Sequence, residues 1–379
     1  MNLFVADPRW GWWIICYFFL GGIAAGAYFT AALIDLSGNP RYRELARIGY
    51  WIAFPLVIVC GLLLTVDLGR PERFWHMLFK SEIVEQARAE GWPGAGGSWK
   101  TFAGAFLFKY WSPMSLGSWA LTSFGACSAL AFLGSLWADG RLSRWLRRSI
   151  VAHLIQIIGC AVGFFVAAYT GALVTATNQP LWSDSNWIAA LFLTSAASSG
   201  MAAITLIAYS RKNANTIVNV GLGHADLWVL VLELAAFAVF LVSLGPLVRV
   251  VLFTTHGKIF VIGTAILGIL LPLFLLSPLG GKLVRRHAVS AAVFALLGGF
   301  ALRYGILTTS PEMLAQADVI RARFAGDLSA GKVLPDWPKL PASLHFSPED
   351  GRQPGGGPGA DPGNRSPSFE PRSKVFDEP

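Results

Sequence analysis

The sequence predicts an all-α integral membrane protein with eight transmembrane helices, and three observations support this fold class. Hydrophobic residues make up 54% of the 379 residues, charged residues only 14%, and the mean hydropathy is +0.53, whereas soluble domains carry about 25% charged residues. Eight apolar segments are each long enough to cross a hydrocarbon core of roughly 30 Å, which takes about 20 helical residues. Lysine and arginine are concentrated in alternate short loops between these segments, as the positive-inside rule requires.

The predicted spans follow one another through short loops, except after the second. Their approximate limits are residues 10–36, 49–66, 116–137, 150–177, 186–209, 225–244, 258–276 and 288–309. The first span has no basic N-terminal region and no small-residue cleavage site in the usual place, so it is interpreted as a retained helix rather than a signal peptide. The loop after the second span, about residues 67–115, is expected to contain short interfacial helices. A Pro180-Leu181-Trp182 stop follows the fourth span.

The basic residues predict that the odd-numbered loops are cytoplasmic. They are Arg41, Arg43 and Arg47 after span 1; Arg141, Arg144, Arg147 and Arg148 after span 3; Arg211 and Lys212 after span 5; and Lys282, Arg285 and Arg286 after span 7. Both termini are therefore expected on the outer side of a bacterial inner membrane. The same bias explains the net charge of +8 without a nucleic-acid partner. Tryptophans near the span ends, Trp182 among them, are expected to form an aromatic belt.

The protein is expected to divide into a membrane domain, residues 1–309, and an extramembrane tail, residues 310–379. The membrane domain is expected to pack as two four-helix bundles, about residues 10–177 and 186–309. The Gly22-x-x-x-Gly26 motif would allow close helix approach in the first bundle. After Pro338 the tail becomes rich in proline, glycine and serine, so it is expected to be largely irregular.

No haem and no iron–sulfur cluster is predicted in this protein. The four cysteines, Cys16, Cys60, Cys127 and Cys160, lie far apart within spans, without iron–sulfur spacing, and are interpreted as packing residues. A transmembrane haem would need two imidazoles that face each other at membrane depth. A haem held by two of His153, His224 and His287 is the alternative, but these residues stand near cytoplasmic span starts, where interfacial or capping roles explain them.

Polar residues at the outer ends of the first four spans form the candidate site. Tyr17 lies about two turns inside span 1, Asp67 ends span 2, and Tyr169 and Asn178 lie at the end of span 4. Such a set suits a quinol pocket, which needs apolar walls, hydrogen-bonding groups for two ring oxygens and a titratable group near water. Because a carboxylate at a helix C-terminus opposes the helix dipole, Asp67 is expected either to pair with Arg70 or to handle protons.

Five blocks of the sequence occur in an order that points to one family. They are Leu20-Gly21-Gly22-Ile23-Ala24-Ala25-Gly26-Ala27, the segment from Asp67 to His76, the segment from Ser112 to Trp119, the segment from Tyr169-Thr170-Gly171 to Trp182, and Arg303-Tyr304. Together, over about residues 10–309, they resemble the NrfD/PsrC membrane subunits of polysulfide-reductase-type complexes. The resemblance implies an eight-helix subunit that binds menaquinone or ubiquinone near the outer face. It also implies electron exchange with a four-cluster iron–sulfur subunit, which serves a molybdopterin catalytic subunit.

The resemblance also assigns roles to single residues. The family's quinone-binding tyrosine matches Tyr169, and its first-helix histidine falls at Tyr17, which can donate to a quinone oxygen but is a poor proton acceptor at neutral pH. The candidate catalytic residues are Asp67 and Tyr169, and the candidate quinone-binding residues are Tyr17, Asp67, Arg70, His76, Tyr169 and Asn178.

Other interpretations stay open. Structural roles are the alternative for each candidate: a belt tyrosine at position 17, an ion-pair or turn residue at 67, a packing tyrosine at 169 and a helix or turn cap at 178. Glu233 and Arg303 lie within spans 6 and 8, where either a proton route or a structural contact between them explains their presence. A secondary transporter would use such charges, although no inverted repeat is evident. A passive membrane anchor, with the quinone held by another protein, is the third function class.

Overall fold

Helices make up the regular structure in the described part of the protein. The computed structural model describes residues 10–78, 112–136, 150–177, 179–210, 216–277, 285–316, 319, 320 and 323. The helices are α1 (Trp12–Leu36), α2 (Arg43–Asp67), α3 (Pro113–Leu136), α4 (Ile150–Thr175), α5 (Ile188–Ser210), α6 (Thr216–Leu244), α7 (Leu247–Phe253), α8 (Thr255–Ile262), α9 (Leu271–Leu276) and α10 (Arg285–Ala315). A π-helix (Gly263–Leu270) joins α8 to α9, and 3₁₀-helices cover Pro40–Tyr42 and Pro71–Met77.

Eight helical segments of the described residues are long and apolar enough to cross a membrane, which confirms the predicted fold class. The seventh is the continuous run through α8, the π-helix and α9. The last helix ends at Ala315 rather than near residue 309, where the tail was expected to begin. Its final turn is held because the Glu312 carboxylate accepts hydrogen bonds from the backbone N–H groups of Thr255 and His256, both at 2.8 Å, at the start of α8.

Helix α1 is the central element around which the site is built. It packs against α2, α4, α5 and α10, and its membrane-spanning stretch is the most buried of the eight. Helix α3 packs against α2 and α4, and its spanning stretch is the least buried, so most of its surface faces outward. The start of α1, the end of α2, the start of α3 and the end of α4 lie on the predicted outer side. The division into two bundles stays a prediction.

The glycine motif of α1 mediates its closest contact with α5. A Cβ atom on Gly26 would collide with the carbonyl oxygen of Ala196, and one on Gly200 would collide with the backbone of Gly26. A Cβ on Gly22 would lie 2.5 Å from Nη2 of Arg303. The expected close approach is therefore present, but its partners are α5 and α10, in the predicted second bundle, rather than helices of the first.

Candidate functional site

A cavity of about 660 Å³ lies at the predicted outer end of the first four helices. Its walls come from α1, α2, α3 and α4 and from the segment that follows α2. Most of the lining is aliphatic or aromatic, including Ile14, Phe18, Leu64, Leu68, Phe74, Leu121 and Leu173. Tyr17, Asp67 and Tyr169 also line this cavity. Three of the candidate site residues, from three different helices, thus meet around one space.

Tyr17 contributes a buried phenol from α1. Its side chain is buried, and its ring lies 5.4 Å from the ring of Phe18. The thiol of Cys60 in α2 lies 3.9 Å from the backbone carbonyl oxygen of Tyr17. The residue is therefore fixed where α1 and α2 face each other, with its ring at the cavity wall.

Tyr169 lies in the outer third of α4 and touches α3. Its hydroxyl donates a hydrogen bond to the backbone carbonyl oxygen of Pro113, the first residue of α3. Its ring stacks on Phe165 at 5.6 Å. Gly117 makes room for the phenol, because a Cβ atom there would collide with the ring. The hydroxyl oxygen keeps lone pairs for a ligand, but its hydrogen must turn away from Pro113 to donate to one.

Asp67 places a carboxylate at the cavity mouth. It is the last residue of α2 and is exposed. The backbone then turns at Gly69, whose φ of +67° lies in the left-handed region that glycine adopts readily. Among the described residues, no ion pair joins Asp67 to Arg70. The expected pairing is therefore not observed.

The remaining candidates are placed less closely or lie outside the described residues. Arg70 is exposed and does not line the cavity. The backbone of His76 belongs to the 3₁₀-helix Pro71–Met77, and its side chain lies outside the described part of the structure. Asn178 also lies outside the described residues.

Three hydroxyl side chains in the cavity wall were missed by sequence reasoning: Thr65, Ser118 and Thr122. Each donates to a backbone carbonyl oxygen one turn earlier in its own helix, at 2.7, 2.9 and 2.8 Å respectively. Because each hydroxyl hydrogen is used in this bond, the oxygen atoms are available to a ligand in the cavity chiefly as hydrogen-bond acceptors. Ser118 directly follows Gly117 on α3, and Thr122 lies four residues, about one turn, further along. That helical spacing was the signal available in the sequence.

The buried charges form a separate network around α5. Arg303 is only 1% exposed. Its Nε donates to the carbonyl oxygen of Phe18 at 3.0 Å, and its Nη1 donates to Oγ of Ser195 at 3.1 Å and to the carbonyl oxygen of Gly299 at 2.8 Å. The guanidinium thus links α10 to α1 and α5. Phe18, whose carbonyl oxygen accepts from Arg303, also lines the cavity. This network therefore adjoins the candidate site.

Glu233 enters the same network from α6. Its carboxylate accepts a hydrogen bond of 2.6 Å from Oγ of Ser198, which lies one turn from Ser195 on α5. In the described part of the protein, no direct ion pair joins Glu233 to Arg303. Two serines of α5 therefore lie between the two charges.

The comparison with known families decides the membership of this protein. The sequence profile of the family described as "Polysulphide reductase, NrfD" matches residues 6–315. The chain belongs to the NrfD family. The resemblance predicted from the sequence blocks is thereby confirmed.

Relatives of this NrfD-family protein include several reductase subunits. The C chain of polysulfide reductase from Wolinella succinogenes is 28% identical over 324 residues, 79% of this protein and 93% of that relative. "Protein NrfD homolog" of Haemophilus influenzae is 27% identical over 316 residues, again 79% and 93%. The C subunit of selenate reductase from Mesobacillus selenatarsenatis is 28% identical over a shorter stretch of 78 residues, 21% of this protein and 18% of that relative.

Trp182 is buried in the interior of this NrfD-family protein. The prediction that it belongs to the aromatic belt is therefore wrong. It is 1% exposed, its Nε1 donates to the carbonyl oxygen of Ile306 at 2.7 Å, and its ring stacks on Trp10 at 5.1 Å. An indole buried this deeply needs a hydrogen-bond acceptor, and α10 supplies it. Trp10 lines the cavity, so Trp182 supports the cavity wall from behind.

The described residues of this NrfD-family protein include no group of three or more histidine, cysteine, aspartate or glutamate side chains arranged to hold a metal ion. All four cysteines are free thiols. Cys60 packs between α1 and α2, as a packing role requires.

Proposed function

We propose that the protein is the quinone-binding membrane subunit of a respiratory oxidoreductase complex, with its quinone site in the cavity between α1, α2, α3 and α4. The observation that carries this proposal is the meeting of Tyr17, Asp67 and Tyr169 around one apolar-walled space. Membership of the NrfD family supports it, as do relatives named as parts of polysulfide and selenate reductases.

The cavity suits the headgroup of menaquinone or ubiquinone. Ligand sites are clefts of roughly 300 to 1,000 Å³ with mostly apolar walls and a few placed polar groups, and this cavity has about 660 Å³. Tyr17 and Tyr169 present phenols from α1 and α4 to the two oxygens of a flat ring. The hydroxyl oxygens of the α2 and α3 walls add acceptors, which suits the O–H groups of a quinol.

Each residue can be given a chemical role. A bound quinone supplies the transfer of two electrons and two protons between the membrane and the complex. The hydroxyls of Tyr17 and Tyr169 hold and orient the ring oxygens by hydrogen bonds. The apolar walls exclude water from the headgroup. The Asp67 carboxylate, exposed at the end of α2, exchanges protons between the cavity and water on the predicted outer side.

The partners proposed are a four-cluster iron–sulfur subunit and a molybdopterin catalytic subunit. Two of the relatives are named as lettered components of reductases, one acting on polysulfide and one on selenate, which supports a complex of several different proteins. With the site at the predicted outer end of the helices, we propose that the electron-accepting or electron-donating partner binds on that side of a bacterial inner membrane.

A proton route through Glu233 and Arg303 stays a prediction. A bracing role has direct support, because Arg303 donates to main-chain oxygens of α1 and of its own helix. The bracing and proton-transfer roles are compatible, since a serine-bridged network offers hydroxyl groups between the two charges.

Purification in a mild detergent tests the proposed function against its rivals. We expect an iron–sulfur subunit and a molybdopterin subunit to co-purify, quinone to co-extract, and quinol-linked turnover to require this protein. Substrate transport by the protein alone in vesicles, without redox partners, would support a transporter. An assembled complex whose quinol-linked turnover is indifferent to every substitution around Tyr169 would support a passive anchor.

A further inference from the structure

Helices α2 and α3 are in contact along their inner halves, away from the cavity. Nε1 of Trp51 on α2 donates to Oγ of Ser135 on α3 at 2.8 Å. One turn further along, the rings of Phe54 and Phe132 lie 5.2 Å apart. Side chains thus fill the space between the two helices at this level.

This contact ends at the level of the cavity. A Cβ atom on Gly125 of α3 would still lie 3.4 Å from Val57 of α2, but one on Gly61 would meet no atom of the described residues within 4 Å. Leu62, 61% exposed, and the exposed Thr122 flank this gap on α2 and α3, and both also line the cavity. Among the described residues, the cavity therefore has an opening between the two helices at Gly61.

At its outer edge, the opening is bounded by contacts between α3 and the segment that follows α2. Nε1 of Trp119 on α3 donates to the carbonyl oxygen of Leu78 at 2.8 Å, and Oγ of Ser118 lies 3.8 Å from Sδ of Met77. The segment after α2 therefore crosses above the gap.

The depth of the opening decides what it faces. Leu62 is five residues from the end of α2, and Thr122 is nine residues from the start of α3. At about 1.5 Å per helical residue, they lie roughly 7 and 14 Å inside the helix ends. That is the depth of lipid acyl chains rather than of water.

We propose that this opening, formed by Ile58, Gly61, Leu62, Leu121 and Thr122, is the lateral route by which the isoprenoid tail of the quinone leaves the cavity for the bilayer. The inference rests on the proposed function. A long isoprenoid tail exceeds a cavity of about 660 Å³ and is costly to hydrate, so it needs an apolar exit. The mouth at Asp67 faces water and suits protons, whereas the opening at Gly61 faces acyl chains and suits the tail.

Substitution of Gly61 tests the route in the intact complex. Gly61→Trp fills the opening, and Val59→Trp is the matched control, because Val59 lies on the same helix, is exposed and does not line the cavity. With a long-tailed quinol, we expect Gly61→Trp to raise KM on the order of tenfold or more, because a side chain that fills the opening overpacks against the tail. Val59→Trp should stay within about twofold of wild type, as expected for a surface substitution, and a tail-less, water-soluble quinol should be turned over almost equally by all three proteins.

An unchanged KM for the long-tailed quinol in an assembled Gly61→Trp complex would overturn the route. Equal loss of activity with both quinols would also overturn it, because the tryptophan would then be blocking the headgroup rather than the tail.

Photo-crosslinking of the wild-type complex decides the matter without a variant. The probe is a long-tailed quinone with a diazirine in its tail, and unlabelled quinone is the competitor. We expect competed crosslinks within residues 58–65 and 118–125. Competed crosslinks confined to other helices would overturn the route but leave the proposed function standing. Absence of any competed crosslink, together with absence of quinol-linked turnover, would overturn the proposed function itself.

Discussion

Tyr169 couples the candidate site to the packing of two helices. Its hydroxyl is bonded to Pro113 of α3, so a ligand must share or replace that bond. The aromatic ring, seated over Gly117, keeps its place without the hydroxyl. The catalytic contribution that we propose for this hydroxyl and its observed structural contribution therefore fall on one oxygen atom, and experiment must separate them.

Tyr169→Phe should lower quinol turnover by about tenfold to a hundredfold, because a lost directed hydrogen bond costs about 1 to 3 kcal/mol. Turnover and thermal stability of the assembled complex are the measurements. Tyr28→Phe is the matched control, since the Tyr28 hydroxyl is buried, has no hydrogen-bond partner among the described residues and lies away from the cavity. If both variants turned over quinol at the same rate, Tyr169 would have no role in the reaction.

Asp67→Asn tests the proton-exchange role. The change keeps the shape and removes the charge, so quinone binding should persist while kcat falls and its solvent isotope effect grows. Glu72→Gln is the control, because Glu72 is an exposed carboxylate five residues away that does not line the cavity. It should leave kcat within about twofold of wild type, a change of less than about 0.5 kcal/mol in activation free energy. An Asp67→Asn complex with wild-type kcat would exclude the carboxylate from proton transfer.

At the scale of helices, the crossing of α1 and α5 fixes the depth of the site. Gly26 and Gly200 let the two backbones touch, and Arg303 ties the same pair to α10. Close packing of small residues is a main source of helix association in membranes. The position of Tyr17 therefore depends on residues about two to three turns away.

Gly26→Leu should prevent this crossing or weaken it severely. Overpacking costs typically about 1 to 3 kcal/mol, and more where backbone must move, so the detergent-solubilised protein should melt markedly lower or fail to accumulate. Gly61→Ala provides the control, because its Cβ meets no neighbour. A Gly26→Leu protein with an unchanged melting temperature would contradict the backbone contact.

The sequence predicted helices well and contacts less well, for physical reasons. Span length follows from bilayer thickness, so the eight spans were recoverable from hydropathy. The glycine motif indicated a close contact but not its partner, because small residues in one helix carry no information on which helix approaches. Trp182 was misplaced, because a tryptophan near a span end is compatible with both a belt and a buried anchor. The carbonyl oxygen of Ile306, far along the sequence, decides between them.

At the scale of the whole molecule, the candidate site is expected to communicate with one side of the membrane, the predicted outer side. Beneath the cavity, an apolar layer fills the space between α1, α2, α3 and α4. It includes Ala24, Ala25, Ala53, Val57, Phe124 and Ala167. If Asp67 exchanges protons as we propose, they are therefore expected to stay on the predicted outer side. Any proton that crossed the membrane would need another path, and Glu233 and Arg303 are the candidates for it.

The predicted orientation can be measured with two exposed serines on opposite sides. Ser183 lies in the loop after α4 and Ser37 in the loop after α1, and both are exposed. Ser183→Cys should react with a membrane-impermeant maleimide in intact cells, whereas Ser37→Cys should react only after permeabilisation. Wild type is the control for the four native thiols. The reverse pattern would place the candidate site on the cytoplasmic side.

The position of the quinone headgroup tests the central claim most directly. A structure of the intact complex with a bound quinone-analogue inhibitor would reveal it. We predict ring density in the cavity between α1 and α4, with a ring oxygen within about 3.2 Å of the hydroxyl of Tyr17 or Tyr169. Headgroup density beside Arg303, at another surface of this protein or wholly within a partner subunit would contradict the account.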